Sequence, residues 1–215
     1  MSESVLIPLF PLGVVLLPGQ ALPLHIFEER YKQMIGECLE RHVVFGLLYY
    51  TGSEMKQARC TARVEEVLRR YDDGRLDILV HGESRFRLEE QDQSRAYLQG
   101  RVRFFDDQDE ELDDEDRELA LRGLLHREEL SRLLNQEGAA DGGASELREI
   151  SFVLAGTEGF SMDERQVFLE MTSTRERIRR SVSALEKLIE RLKLTLEIQR
   201  IIGGNGHPPS VLKGE

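Results

Sequence analysis

The sequence predicts an α+β fold: a small mixed β-barrel at the N-terminal end, then an α-helical lobe that closes with one long C-terminal helix. Three observations carry this. Up to Phe104, apolar residues alternate with polar ones or come in short runs punctuated by Pro and Gly, as strands and turns require. After that point they recur every three or four residues, the period of amphipathic helices. Between the two regions lies an acidic run, residues 106–118, holding ten acidic residues against one basic residue, Arg117. The expected organisation is therefore a barrel over 1–105, a helical lobe over 106–203 and a flexible tail over 204–215.

The elements follow in order. VLIPLFPLGVVLLPGQALPL is apolar but interrupted by Pro8, Pro11, Gly13, Pro18 and Gly19. Proline removes backbone donors, so this stretch makes short strands or strand edges joined by turns. Phe27, Tyr31, Met34, Ile35, Cys38 and Leu39 have helical spacing and predict a helix over 27–41, with Glu28 and Glu29 at its positive end. VVFGLLYY, 43–50, is a buried strand by its β-branched and aromatic content. Residues 64–71 lead into Asp72-Asp73-Gly74, a turn, and return through Leu76, Ile78 and Val80 in alternation with polar residues. Phe86 and Leu88 continue that alternation, and Tyr97, Val102 and Phe104 predict one more strand.

In the second half, leucines from Leu119 to Leu134 mark a helix, and GAADGGAS at 138–145 breaks it as a loop. Leu147, Ile150, Phe152, Val153 and Leu154 predict a second helix ending at Gly156. Ser161 with Glu164, and Ser173 with Glu176, have the spacing of capping boxes. The last helix carries Ile178, Val182, Leu185, Ile189, Leu192 and Leu196 as a heptad-like stripe, stopped at Gly203-Gly204.

The chain has 215 residues, 40% hydrophobic and 32% charged, enough for one large domain or two lobes with real cores. Its net charge of −11 comes mainly from residues 106–118, so the global charge says little about partners. Two cysteines, Cys38 and Cys60, without a CxxC or a His cluster, argue against a disulfide framework or a metal site. The apolar run 5–17 has no basic flank and contains Pro8 and Pro11, which suits neither a signal peptide nor a membrane span. A cytoplasmic protein with no membrane contact is the expectation.

IPLFPLGVVLLPGQALPLHIFEERYKQMI resembles the opening signature of the Lon protease N-terminal, substrate-binding domain. The matching residues are Leu6 to Leu12, Pro18-Gly19, Pro23-Leu24, Ile26-Phe27-Glu28 and Arg30-Tyr31. ARVEEVLRRYDDGRLDILVHGESRFRL is similar to that family's hairpin, and the region from SFVLAGT onward to its helical subdomain. The resemblance implies a PUA-like barrel and recognition of peptides or unfolded proteins. It does not extend to catalysis. The phosphate loop of the family's ATPase is absent, since Gly203-Gly204-Asn205-Gly206 lacks the lysine, and so is a Ser-Lys peptidase.

The sharper alternatives weigh less. No GxSxG elbow or comparable context singles out a nucleophile among the scattered His25, His42, His81, His126 and His207, so a cryptic hydrolase ranks last. Cys38 falls on the apolar phase of its helix and reads as a buried thiol, and His25 as a packing or hydrogen-bonding residue. The acidic run reads as a solvated linker or helix N-terminus. The basic closing helix, with Arg175, Arg177, Arg179 and Arg180, suggests an RNA-binding alternative, yet its arginines alternate with Glu and its apolar stripe suits packing, so nucleic acid is disfavoured. The favoured function is a non-catalytic module without cofactor or metal that binds polypeptide segments or partner proteins, its oligomeric state open. Leu16, Leu17, Phe27, Tyr31, Tyr49 and Tyr50 are the candidate contact residues, in a groove between barrel and helices, although core packing is the favoured reading for most of them. Tyr49 and Tyr50 are adjacent in a strand, so one of them faces away from the core.

Overall fold

The computed structural model describes residues 4–49, 58–135 and 144–204. Tyr50, most of the expected 138–145 loop and the expected tail beyond Gly204 lie outside them. Six strands come first: β1 (Val5–Leu12), β2 (Ala21–Ile26), β3 (Phe45–Tyr49), β4 (Ala58–Arg70), β5 (Leu76–Asp92) and β6 (Gln99–Phe104), with helix α1 (Glu29–Arg41) between β2 and β3. Helices α2 (Asp114–Leu133), α3 (Leu147–Ala155), α4 (Met162–Glu170) and α5 (Thr174–Gly204) follow. The α+β class, the β-then-α order and the long last helix are as the sequence predicts.

The strands run in the order β2-β5-β4-β3-β1-β6, and β5 also pairs with β6, which closes β1, β3, β4, β5 and β6 into a ring. Strand β5 makes this possible. Its first part pairs with β2 from Leu76 to His81, and its last part with β6 from Phe86 to Asp92. Irregular register against β4, at Cys60/Ala62, Val64/Glu66 and Val67/Arg69, bends the pair. Gly82 sits between the two parts of β5. A Cβ there would lie 2.2 Å from the Leu17 carbonyl oxygen, because the 13–20 loop crosses at this point. The Gly82 N–H donates to the Gln20 carbonyl and the Gly19 N–H to the Gly82 carbonyl, both at 2.9 Å. At the hairpin, Gly74 supplies φ +81°, as the Asp-Asp-Gly turn requires.

Pairing of β1 with β3 is parallel, so β2 and α1 form the crossover between them. The pleat of β1 points Leu9 into a small cluster with Ile7, Leu48, Phe86 and Val102, and Phe10 into the main core. There Phe10 meets Tyr31 of α1 at 4.1 Å between ring centroids. Helix α1 begins at Glu29, two residues later than its apolar spacing suggests, since Glu28 keeps extended backbone. Its end is set by His42 in the left-handed region (φ 54°), where the Val43 N–H donates back to Cys38. That closure keeps Val43 and Val44 out of the strand, so β3 starts at Phe45. Tyr97 likewise precedes its expected strand and is buried.

The largest apolar cluster runs through both halves of the chain, from Phe10 and Ile78 to Phe168 and Leu185. The 13–20 loop is one of its bridges: the Val15 N–H faces Met162 Sδ at 3.5 Å, and Leu17 packs beside Gly156. Another is Gln166, whose amide donates to the Ala58 carbonyl at 2.9 Å.

The acidic run does more than the sequence reading allows. Its second part is a helix N-terminus, with Asp113 and Asp116 forming a capping box at the start of α2. But Asp107 and Asp116 are not solvated; their side chains are 5% and 3% exposed. Asp107 accepts from the buried guanidinium groups of Arg85 on β5 and Arg177 on α5, and from the Thr174 hydroxyl at 2.8 Å. Arg177 also donates to Ser151 Oγ at 2.8 Å, and both arginines lie over the Phe152 ring. Burial would raise the Asp107 pKa, but hydrogen bonding from Arg177 and the charges of Arg177 and Arg85 outweigh it and hold the carboxyl below its ordinary value. Asp116 is held down chiefly by hydrogen bonds from Arg175. The run is thus a strap that fastens α5 to the barrel.

Candidate functional site

At the C-terminal end of α1 a cleft of about 480 Å³ opens between that helix and the start of β1. Its lining includes Val5, Leu6, Ile7 and Pro8 of β1, Cys38 and Arg41 of α1, Val43 and Val44 of the connection to β3, and Arg63, Arg95, Tyr97 and Phe104. Three apolar residues that line it are substantially open to solvent: Val5 and Leu6 at 44% and Val43 at 42%. The cause is local. Strand β3 takes up the edge of β1 only from Leu9 onward, whereas Val5 to Pro8 pair solely with β6. One edge of that half-strand is left without a partner strand among the described residues, and it borders the cleft. Pro8, which lacks a backbone donor, sits there, as prolines at sheet edges do.

The electrostatics of the cleft run against those of the whole chain. Glu37 is its one lining carboxylate, against Arg41, Arg63 and Arg95. Glu37 accepts from the Tyr97 hydroxyl at 2.8 Å and from Arg95, and the Tyr97 bond leads in holding its pKa below the usual value. Arg63 is occupied by Glu83 and by the His42 carbonyl at 2.9 Å. Arg41 is exposed and makes no ion pair among the described residues. Cys38 forms part of the wall, but burial pushes its thiol up to about 11, so it is an inert surface at neutral pH. Cys60 is buried and its thiol is raised as well. Among the described residues no group of three or more His, Cys, Asp or Glu could hold a metal ion, and no helix is long and apolar enough to cross a membrane.

The residues expected from sequence fall elsewhere. Leu16, Leu17 and Tyr31 are in the core, where Leu16 and Leu17 fill the seam between barrel and helices that was expected to hold a groove. Tyr49 is half-buried against the same core, and Tyr50 lies outside the described residues. Phe27 is 60% exposed, at the opposite end of α1 from the cleft. It stacks on His25, whose Nδ1 lies 2.5 Å from Asp77 Oδ1, and the Tyr71 hydroxyl donates to the other Asp77 oxygen at 2.7 Å. The hydrogen-bonding role expected for His25 is thereby filled. Of the closing-helix arginines, Arg175 and Arg177 are held by the acidic strap and Arg180 by Glu176. A cue for the cleft existed in the sequence: Val5 and Leu6 are consecutive in a strand and cannot both face one core. That β3 begins too late to cover them is a matter of register, which composition does not reveal.

Comparison with known proteins places this geometry. Residues 6–187 match the family model of the ATP-dependent protease La (LON) substrate-binding domain. A curated Lon protease from Anaeromyxobacter dehalogenans is 25% identical over 214 residues; the match takes in 92% of this chain but only 25% of that protein's length. The crystal structure of a Lon N-terminal domain protein from Xanthomonas campestris superposes with a TM-score of 0.65 at 25% identity, over 83% of this chain and 98% of that one. The N-terminal domain of a Mycobacterium avium complex Lon protease shares the fold, with a TM-score of 0.62 at 14% identity over 85% of this chain and 98% of that one. The chain belongs to the Lon substrate-binding domain family.

Proposed function

We propose that the protein is a non-catalytic recognition module that binds extended segments of polypeptide in the cleft between α1 and β1. The observation that supports this is the coincidence of three solvent-open apolar side chains, Val5, Leu6 and Val43, with a strand edge that has no partner among the described residues, around one cavity. An extended peptide satisfies both features, because its backbone pairs with the edge while alternate side chains enter the cleft. The match of residues 6–187 to a substrate-binding family agrees with this reading. We place the protein in the cytoplasm, where its two free thiols stay reduced. Phe27, the expected contact residue most open to solvent, is a secondary contact in this scheme, some 20 Å away along α1.

The test is binding of a permanently unfolded, fluorescently labelled casein, followed by anisotropy. Leu6→Asp and Val43→Asp are expected to weaken binding about tenfold or more, since each places a charge on the apolar wall. Unchanged binding in both variants would falsify the cleft as the site.

A further inference from the structure

We propose that the cleft recognises the free C-terminal carboxylate of an apolar polypeptide tail, with Arg41 as the receiving cation. This deepens the peptide-binding reading above and rests on it. Two observations select a terminus over an internal segment. The first is where the open edge stops. A segment laid along Val5 to Pro8 runs into the His42–Val44 connection, since β3 occupies the β1 edge from Leu9 onward. A chain lying parallel to β1 must therefore leave the sheet or end at that point. Arg41 lies there, immediately before the connection and on the cleft wall.

The second observation is charge. In a chain of net charge −11, this cleft is lined by three arginines and one glutamate; with Arg63 paired to Glu83 and Arg95 to Glu37, Arg41 remains as an uncompensated positive charge that draws in an anion. Glu37 is already engaged by Arg95 and Tyr97, and Arg63 by Glu83, so neither changes partners without loss. Arg41, exposed and without an ion pair among the described residues, keeps its guanidinium donors available, and a carboxylate matches their fork. In the reverse orientation an N-terminal ammonium would meet Arg41, the lining arginine without an ion pair among the described residues. Val5, Leu6 and Val43 then receive the apolar side chains that precede the carboxylate.

The experiment uses the full chain and three labelled peptides of one sequence, Ser-Val-Ser-Leu-Ser-Val-Leu. One has a free C-terminus, one a C-terminal amide, and one an amide with Asp in place of the central Ser. The free acid is expected to bind about tenfold more tightly than the amide, the scale of a charge-assisted hydrogen-bonded pair. That difference should shrink as salt rises. Arg41→Gln should bring the acid down to the level of the amide, and Arg41→Lys should restore part of the gap. Equal binding of acid and amide to the native protein overturns the inference; if Leu6→Asp still abolishes both, the cleft reading survives it. Should the internal-Asp amide bind as tightly as the free acid, the commitment to a terminus is overturned. Loss of the gap in a variant counts only with an unchanged circular dichroism spectrum, and Arg41→Lys supplies the comparison if Arg41→Gln fails to fold.

Discussion

Asp107 joins the two halves of the molecule through a single side chain. Its carboxylate stands between two fully buried guanidinium groups, and removing its charge leaves both without compensation. Asp107→Asn should therefore cost roughly 3–5 kcal/mol, as breaking a buried ion pair from one side does; urea denaturation measures it. The pH dependence has a definite sign. Asp107 and Asp116 have pKa values below those of unfolded carboxyls, so their contribution is fully present above about pH 4 and is lost as pH falls through the lower folded values. The urea midpoint should drop from pH 5 to pH 2, with a shallower drop in Asp107→Asn. An identical slope in that variant would show that other carboxyls govern acid stability. None of this was legible beforehand. A run of ten acids reads as solvated because its sequence neighbours cannot neutralise it, and the neutralising arginines arrive from β5 and α5. Leu16 and Leu17 were more legible: their sequence favours a core over a groove, and the core is where they lie, though it does not say which elements they pack between.

Elements were far more legible, because their causes are local. The Ser161/Glu164 capping box forms in full, Ser161 Oγ accepting from the Glu164 N–H at 3.2 Å and Glu164 from the Ser161 N–H at 2.7 Å, whereas of the second box the structure shows the half in which Ser173 Oγ accepts from the Glu176 N–H at 3.1 Å. Ser161→Ala should lower stability by about 1 kcal/mol, the usual worth of an N-cap, with Ser161→Asp recovering most of it. The four-and-three stripe of α5 is buried as far as Ile189; beyond it Leu192 is half-buried and Leu196 exposed, so the packed part of the stripe is shorter than its spacing suggests. Strand limits were harder to read, since they follow from pairing and not from propensity. VVFGLLYY carries no sign that its first two residues belong to a connection. Gly82 is similar, a glycine inside an alternating strand whose purpose appears only when the 13–20 loop crosses it. Gly82→Ala should cost about 3 kcal/mol through the clash with the Leu17 carbonyl, whereas Gly36→Ala, with open space around its Cβ, should be neutral or stabilising. Thermal denaturation of the two variants distinguishes them.

At the scale of the molecule, the boundary near residue 106 is a change of architecture and not a division of the core. One apolar cluster runs from Phe10 to Ile189, and the Asp107 junction lies where the halves meet. The chain should therefore unfold as one cooperative unit. Its own composition supplies the probes: all five tyrosines precede residue 98, so near-ultraviolet dichroism reports the barrel, while the far-ultraviolet helix signal reports mainly the second half. The two denaturation curves are expected to coincide. A gap between their midpoints would mean that barrel and helices are independent domains. The β-before-α order was plain from the period of the apolar residues; their shared core was not, because periodicity says which face of an element is buried but not against what.

The strap also sets a schedule for biosynthesis. Asp107 leaves the ribosome with Arg85 already made, but Arg177 follows about seventy residues later, a delay of roughly 4–14 s at ordinary elongation rates. During that interval the nascent barrel holds half of a charge cluster and cannot seal the side to which α3, α4 and α5 will dock. Closure waits for the last helix, so any product cut short before Arg177 keeps an open apolar seam and an Asp107 that lacks one of its two buried arginine partners.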